Sequence, residues 1–450
     1  MAFEGKSAAE LNDNELIRKF CRGRKRGTPM TKRLIGRRTA MASALGGIAA
    51  TTVYPRLASA ADPIKIGFSL PQSGGLAAIG KQTLLTMQIW ADDVNARGGI
   101  IGRPVQLVTY DDQSNPASVP PIYTKLLDVD KVDLVVTNGT NLTVPAMPIA
   151  MQHDKVVFCM LALTINDKFH YPRFFQTMPY GPRGGESISE GFFEVAMGMK
   201  PAPVTVALVG ADAEFSKAAI DGAREQAKKH GLKIVYDRTY PPTTLDFSPM
   251  VRGIAASNPD IVYIGSYPID TSGIIRAARE LNFRPKLFGG GMVGTQAATL
   301  KGDLGEMLND VVSYELYCPA VAAKFPDVEQ VLKKYQPLAK KQGIDPQGYY
   351  VPPFTYATMQ VLDQAVTGAG GLDQDKIAQL MHATTFKTVV GDIKFGPDGE
   401  WDHQRLLWVQ FRGLKGQGMD QFADPSAEVV LHPAEYRTGE LRYPMGPAKQ

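Results

Sequence analysis

The sequence contains one spacing that is typical of a nucleotide-binding motif. It has the form G-x-G-x-x-G, follows a short strand pattern and consists of Gly289, Gly291 and Gly294. Such glycines form the turn that cradles a pyrophosphate, so an NAD-dependent oxidoreductase is one hypothesis. That fingerprint belongs in a βαβ unit with an acidic residue about 20 positions further on, whereas here it precedes a weak helical pattern late in the chain. Close approach of the backbone to a bound solute explains the glycines more simply.

Residues that serve catalysis or bind metals lack the spacing that either task requires. The sequence contains no G-x-S-x-G elbow, Walker loop or H-E-x-x-H helix. Three cysteines are too few for a zinc cage, and the six histidines show no ligand-type spacing. We therefore expect no enzyme, no metal site and no cofactor. Cys159 and Cys318 are expected to be buried thiols.

The first 60 residues have the form of an export signal. The pair Arg37-Arg38 precedes residues 40–53, which are mostly small or apolar, and a small-x-small sequence ends at Ala60. Fourteen residues rise only about 21 Å as a helix, too short to span a membrane. The sequence therefore predicts a twin-arginine-like signal peptide cleaved near Ala60, with ordinary Sec export as the alternative. The product is expected to be soluble in the periplasm or another extracytoplasmic space.

The basic charge of the chain belongs to this leader. Residues 1–60 carry 12 Lys and Arg against four Asp and Glu, so the formal charge of +4 leaves about −4 for the other 390 residues. Proteins that bind nucleic acids gather Lys and Arg on one face to neutralise phosphates. The charge balance therefore argues against a nucleic-acid partner.

The remaining chain alternates short apolar runs with helical patterns. Continuous Val, Ile and Leu runs are typical of strands that helices cover on both faces, so the pattern predicts parallel sheets. The predicted strands are 64–70, 105–110, 132–137, 156–160, 204–209, 233–239 and 261–265. The βαβ series restarts at Val204, after a segment rich in Pro and Gly, residues 171–185. This pattern indicates an α/β fold with two doubly wound lobes.

The domain boundaries follow from these breaks. We expect a leader over 1–60, an N-terminal lobe from 61–178 plus 315–388, a C-terminal lobe from 179–314 plus 389–423, and an aperiodic C-terminal strap over 424–450. A hairpin is predicted from Gly391–Phe395 and Leu406–Phe411, around the turn residues Pro-Asp-Gly at 397–399.

Several short motifs in register resemble one protein family. They are IKIG at 64–67, LPQSGG at 70–75, NARGGIIG at 95–102, YDDQSNP at 110–116, TYPP at 239–242 with DFS at 246–248, and NPD at 258–260. Together these motifs resemble the periplasmic leucine/isoleucine/valine-binding proteins, the type I solute receptors of ABC importers. The resemblance covers nearly all of residues 62–412. It implies two lobes joined by three crossings, which we place near Thr177–Gly181, Ser313–Tyr317 and Val389–Lys394.

The resemblance also implies a ligand site between the lobes, at the carboxyl ends of the strands. Family members hold the ligand carboxylate with hydroxyl and backbone donors, at positions that match Asn141 and the turn from Ala162 to Thr164 in this chain. The aromatic walls of the family site map onto Phe215 and Tyr267. A further wall position maps onto Ile79.

The main departure from the family pattern lies at Gly291, where amino-acid binders carry a glutamate that pairs with the ligand ammonium. A buried ammonium without a partner costs several kcal/mol. Asp270 and Asp212 are nearby carboxylates that could pair with a ligand ammonium in place of the missing glutamate. The resemblance therefore favours a solute with a carboxylate or amide and an apolar or aromatic body, and an amino acid remains an alternative.

The resulting prediction is a monomeric solute receptor that passes a small molecule to an ABC permease in the inner membrane. A closer alternative than the oxidoreductase is a ligand sensor with the same fold, which reports binding to a signalling partner.

Overall fold

The computed structural model describes residues 62–446. The expected signal peptide over residues 1–60 and its cleavage point near Ala60 lie outside this range. No helix between residues 62 and 446 combines the length and the apolar character needed to cross a membrane.

The first lobe is built on five parallel strands and the helices that connect them. The strands are β1 (Ile64–Leu70), β2 (Val105–Asp111), β3 (Leu134–Asn138), β4 (Val157–Met160) and β5 (Phe174–Gln176), and the helices are α1 (Ala77–Ala96), α2 (Val119–Thr124), α3 (Thr140–Gln152) and α4 (Ile165–Phe169). The strand order is β2-β1-β3-β4-β5. Every residue of β3 and β4 is buried, as expected for strands with helices on both faces.

The second lobe continues the same alternation along the chain. Its elements are α5 (Gly184–Met197), β6 (Thr205–Ala211), α6 (Glu214–Lys229), β7 (Lys233–Tyr240), α7 (Ser248–Ala256), β8 (Ile261–Ser266), α8 (Pro268–Glu280), β9 (Leu287–Met292), α9 (Ala298–Leu304) and β10 (Val312–Glu315). Strands β7, β6, β8, β9 and β10 are parallel neighbours in that order. The two doubly wound parallel sheets that the sequence predicts are therefore confirmed.

The chain then returns to the first lobe before it completes the second. Helices α10 (Pro326–Gln342) and α11 (Pro352–Ala369) pack against α1, and α12 (Gln374–Ala383) leads into the two-stranded sheet of β11 (Thr385–Thr388) and β12 (Gly391–Lys394). Two further strands, β13 (Leu407–Phe411) and β14 (Glu428–His432), extend the second sheet beyond β10. Both run antiparallel to their neighbours.

The predicted hairpin between 391–395 and 406–411 is wrong. The Pro-Asp-Gly turn forms, and an isolated bridge joins Phe395 to Trp401, but β12 pairs with β11, whereas β13 pairs with β10 and β14. The reason is burial: every residue of β13 is buried, which requires a sheet interior, whereas β12 buries only Ile393. The segment that we expected as an aperiodic strap likewise contains β14.

The chain passes between the lobes three times, in segments 177–183, 316–325 and 395–406. The first two overlap the predicted crossings near 177–181 and 313–317. The third prediction, at 389–394, is wrong because β12 belongs to the first lobe. In the observed third crossing, Trp401 is fully buried, and the guanidinium carbon of Arg405 lies 5.0 Å from the centre of its ring system.

Candidate functional site

A small cavity lies between the lobes, at the carboxyl ends of the parallel strands. It holds about 50 Å³. Its first-lobe wall comes from the loop and helix after β1, which supply Leu76 and Ile79, and from the segment 138–142 after β3. Its second-lobe wall includes Phe215 and Tyr267, which follow β6 and β8. Loops at these strand ends are where doubly wound sheets bind their ligands.

The amino terminus of α3 forms the polar edge of this cavity. Gly139 adopts a positive φ of 76°, which turns the chain from β3 into the helix. The first backbone N–H groups of a helix have no acceptor within it, and the helix dipole gives this end a partial positive charge. Thr140 and Asn141 stand in this first turn and line the cavity. This edge favours the oxygen atoms of an anion or a carbonyl group.

Asn141 bridges the two lobes. Its Oδ1 atom accepts hydrogen bonds from the Tyr267 hydroxyl at 2.9 Å and from the Phe215 backbone N–H at 3.2 Å. The rings of Phe215 and Tyr267 meet edge to face, with centroids 5.8 Å apart. Four residues that the family resemblance pointed to, Asn141, Phe215, Tyr267 and Ile79, therefore stand around one cavity.

Ala162 and Thr164 lie elsewhere. Ala162 is fully buried, and its carbonyl accepts a hydrogen bond from Gln176 Nε2 at 2.6 Å. Thr164 adopts a left-handed conformation at the start of α4 and lines a separate surface groove that also includes Asp167 and Arg183. Neither residue lines the cavity; from this segment Leu161 does.

Gly291 also lies away from the cavity. A Cβ atom at this position would lie 3.1 Å from the Tyr263 hydroxyl and 3.7 Å from Ala219, inside the second lobe. Val293, two residues later, lines the cavity instead. This placement corrects the expected role of Gly291, since a side chain there would enter the core of the lobe.

The glycine motif serves the packing of the protein itself. A Cβ atom on Gly289 would lie 1.7 Å from the Val312 carbonyl oxygen of the neighbouring strand, and one on Gly294 would lie 2.5 Å from Thr271 Cβ. The close approaches are therefore between protein segments, which corrects the expectation that these glycines make room for a solute.

The two candidate ammonium partners occupy different environments. Asp212 is exposed and pairs with Lys217 at 2.6 Å. Asp270 is only 8% exposed, and burial raises its pKa to about 6 although the Tyr240 hydroxyl donates a hydrogen bond to its Oδ2 at 2.5 Å. Asp270 lines a second space of about 300 Å³, which we call the outer chamber. The cavity between the strand ends, described above, is called the inner cavity from here on. Neither carboxylate lines it.

Three tyrosines that the sequence analysis missed form another wall of the inner cavity. Tyr180 is 2% exposed, and the hydroxyl groups of Tyr314 and Tyr350 lie 3.1 Å apart. Burial raises the pKa of each phenol, so all three stay neutral and keep their O–H donors. Tyr180 and Tyr314 fall inside the crossings predicted at 177–181 and 313–317, and that position between the lobes is the sequence signal by which they could have been found.

Two lobes with a cavity between their strand ends define a type I solute-binding protein. A family model described as "Periplasmic binding protein" matches residues 63–411, and the chain belongs to that family. The family consists of solute-binding receptors rather than enzymes.

Similar proteins include receptors with different solutes. An "Amino acid binding protein" of Pseudomonas aeruginosa is 25% identical over 75% of this chain and 87% of its own length. A branched-chain amino acid transporter substrate-binding protein of Streptococcus pneumoniae, solved with isoleucine, matches 83% of this chain and 100% of its own at 19% identity, with a TM-score of 0.66. A solute-binding protein of an ABC transporter from Rhodopseudomonas palustris, solved with 3,4-dihydroxybenzoic acid, matches 79% and 95% at 19% identity, with a TM-score of 0.67.

Proposed function

We propose that this chain is the extracytoplasmic receptor of an ABC importer of the branched-chain-amino-acid type. It binds a small carboxylate or amide solute in the interlobe cavity and passes it to a permease in the inner membrane. It acts as a monomer after export and removal of the leader.

The residues that line the inner cavity indicate which class of solute it binds. Among the described residues, no charged side chain lines it; its walls are aliphatic and aromatic, and its polar groups are hydroxyls, amides and the amino terminus of α3. The helix terminus favours a carboxylate or carbonyl oxygen, whereas an ammonium group in this space meets no carboxylate. We infer a solute with an acceptor group and an apolar or aromatic body.

The range of solutes among similar proteins supports this class. The R. palustris structure holds an aromatic carboxylate that has no ammonium group, in the same fold. In this chain the buried hydroxyls of Tyr180, Tyr314 and Tyr350 offer hydrogen bonds to substituents on such a ring.

Binding requires the lobes to separate. A volume of about 50 Å³ is far below the roughly 300 Å³ of a small-molecule pocket, so the solute enters an open form and the lobes then close around it. The three crossings are where such a rotation takes place.

Thermal unfolding against a panel of solutes tests the proposal. The panel contains leucine, valine and phenylalanine, the deaminated acid of each, benzoate and benzamide. A ligand at 100 times its Kd adds about 2.7 kcal/mol to the free energy of unfolding, which gives a clear shift in Tm. We expect the acids and the amide to raise Tm more than the amino acids do. A larger shift with leucine or valine contradicts the ligand class and leaves the receptor assignment in place.

A further inference from the structure

One side-chain oxygen holds two elements of the opposite lobe. Asn141 belongs to the first lobe, whereas the two donors to its Oδ1 belong to the second. Phe215 lies in the first turn of α6, and Tyr267 immediately precedes α8. Both bonds therefore require the lobes to be closed.

The same contact separates the two spaces of the cleft. Asn141, Tyr267 and Leu76 line both the inner cavity and the outer chamber. The hydrogen bond between Asn141 and Tyr267 therefore lies at the boundary of the two spaces. Breaking the bond between Asn141 and Tyr267 is therefore part of opening the site.

The donors fix the orientation of the Asn141 amide. A backbone N–H such as that of Phe215 can only donate, so the oxygen of the amide has to face the second lobe. Two hydrogen bonds then occupy the two lone pairs of Oδ1. The hydrogen bonds of residues 62–446 include none from Asn141 Nδ2, which leaves its N–H groups to donate beside the amino terminus of α3.

We propose that Asn141 is a latch that couples recognition of the solute to closure of the lobes: its oxygen holds the second lobe while its nitrogen donates to an acceptor atom of the solute. The inference rests on the proposed function for the identity of the solute group. A solute acceptor on Nδ2 keeps the amide in the orientation that the second lobe requires. A cationic group at the same place opposes that orientation and disfavours closure.

Two variants test the two parts of the latch separately: the closure half, which is the contact of Oδ1 with the second lobe, and the ligand half, which is the contact of Nδ2 with the solute. Tyr267→Phe removes one donor to Oδ1 and leaves Nδ2 in place. Asn141→Asp keeps an acceptor for the second lobe and replaces the donor nitrogen with an anionic oxygen. Tyr171→Phe is the matched control, because it also removes one tyrosine hydroxyl bond, to the Lys155 carbonyl within the first lobe.

Closure is measured as the distance between spin labels on Lys81→Cys in α1 and Lys217→Cys in α6, in full-length protein with Cys21→Ser. Both lysines are exposed, and the other native thiols are buried. We expect Tyr267→Phe to shift the distances toward the open form, with or without benzoate, and to weaken benzoate binding about 3- to 10-fold. Tyr171→Phe should match the wild type. Unchanged distances in Tyr267→Phe overturn the latch.

Binding of benzoate and benzamidine, measured by calorimetry, tests the ligand half. We expect Asn141→Asp to lose benzoate binding by about 100-fold and to gain affinity for the benzamidinium cation, because the site then presents an acceptor. Benzoate binding to Asn141→Asp as tight as to the wild type overturns this half. If wild-type protein binds no member of the acid panel while Tyr267→Phe still opens the lobes, the proposed solute class fails and the closure half of the latch stands.

Discussion

Lys301 Nζ lies 2.5 Å from Glu428 Oε1, and this ion pair is buried inside the second lobe. The same nitrogen lies 2.6 Å from Glu315 Oε1. The three side chains are each at most 4% exposed, and they join α9, β10 and the last strand, β14. The carboxyl-terminal strand is therefore tied to the lobe by charge as well as by the sheet.

Removal of the cation should strongly destabilise the protein. Lys301→Met leaves Glu315 and Glu428 facing each other in a dry environment, which costs about 3–5 kcal/mol of the free energy of unfolding. Urea unfolding measures the loss. Lys333→Met is the control, since Lys333 pairs with Glu329 at 2.9 Å on the exposed surface, where such pairs contribute little. Equal effects of the two variants would contradict the role of the buried cluster.

A carboxylate should change the ligand class at Val293 and not at Gly291. Val293→Glu places an acid on the inner cavity, so we expect measurable leucine binding and weaker benzoate binding, by about tenfold or more. Gly291→Glu pushes a charged chain against Tyr263 and should lower Tm without any gain in leucine binding. Thermal shifts with L-leucine compare the two. Leucine binding by Gly291→Glu would restore the role that the family pattern suggested.

Asp270 should make stability depend on pH. Its pKa rises from 3.8 to about 6 in the folded protein, mainly through burial, so between these values the folded state binds more protons than the unfolded state. The contribution of this group to stability therefore rises as pH falls from 7 to 4. Asp270→Asn keeps an acceptor for Tyr240 and removes the charge.

The expected readout is the difference between Asp270→Asn and the wild type. The variant should be more stable at pH 7.5, by about 1–3 kcal/mol, and the gain should disappear near pH 4. Taking this difference cancels the titration of Asp112, whose pKa burial also raises to about 6. A difference that stays constant across this range would show that Asp270 titrates normally.

The two thiols of the described region should resist modification. Burial raises the pKa of Cys159 to about 12 and raises that of Cys318 well above its usual value. Because the thiolate is the reactive form, native protein at pH 8 should leave both residues unlabelled by a maleimide, as determined by peptide mass mapping. Unfolding in urea should expose both. Rapid labelling of the native protein at either site would contradict this burial.

The sequence predicts the sheets well because burial on both faces leaves a direct pattern. Val135 and Val157 stand in runs of apolar residues that appear as β3 and β4. The strand Leu407–Phe411 follows the same rule and lies in the large sheet, but the nearby Pro-Asp-Gly turn led to the prediction of a local hairpin. Choice of partner strand depends on long-range packing, which a local pattern does not contain.

Residues that follow the ends of β3, β6 and β8 were predicted correctly as neighbours of one cavity, whereas the tyrosines that reach it from other parts of the chain were missed. Tyr267 comes directly after β8 and Asn141 three residues after β3, so the fold itself brings them to the cleft. Tyr350 reaches the same cavity from the segment before α11, far along the chain. Gly291 was misplaced because it still lies inside β9, whereas Val293, just beyond the end of the strand, lines the cavity.

The third crossing contains a tryptophan, Trp401, whose fluorescence should report the movement of the lobes. All three tryptophans are buried, but Trp90 and Trp408 stand within a helix and a strand, whereas Trp401 lies in a segment that joins the lobes. Indole emission is sensitive to a nearby cation, and Arg405 supplies one across this ring. Rotation of the lobes that displaces this pair should alter intrinsic fluorescence. Solute binding should then be observable in unlabelled protein as a change in this emission.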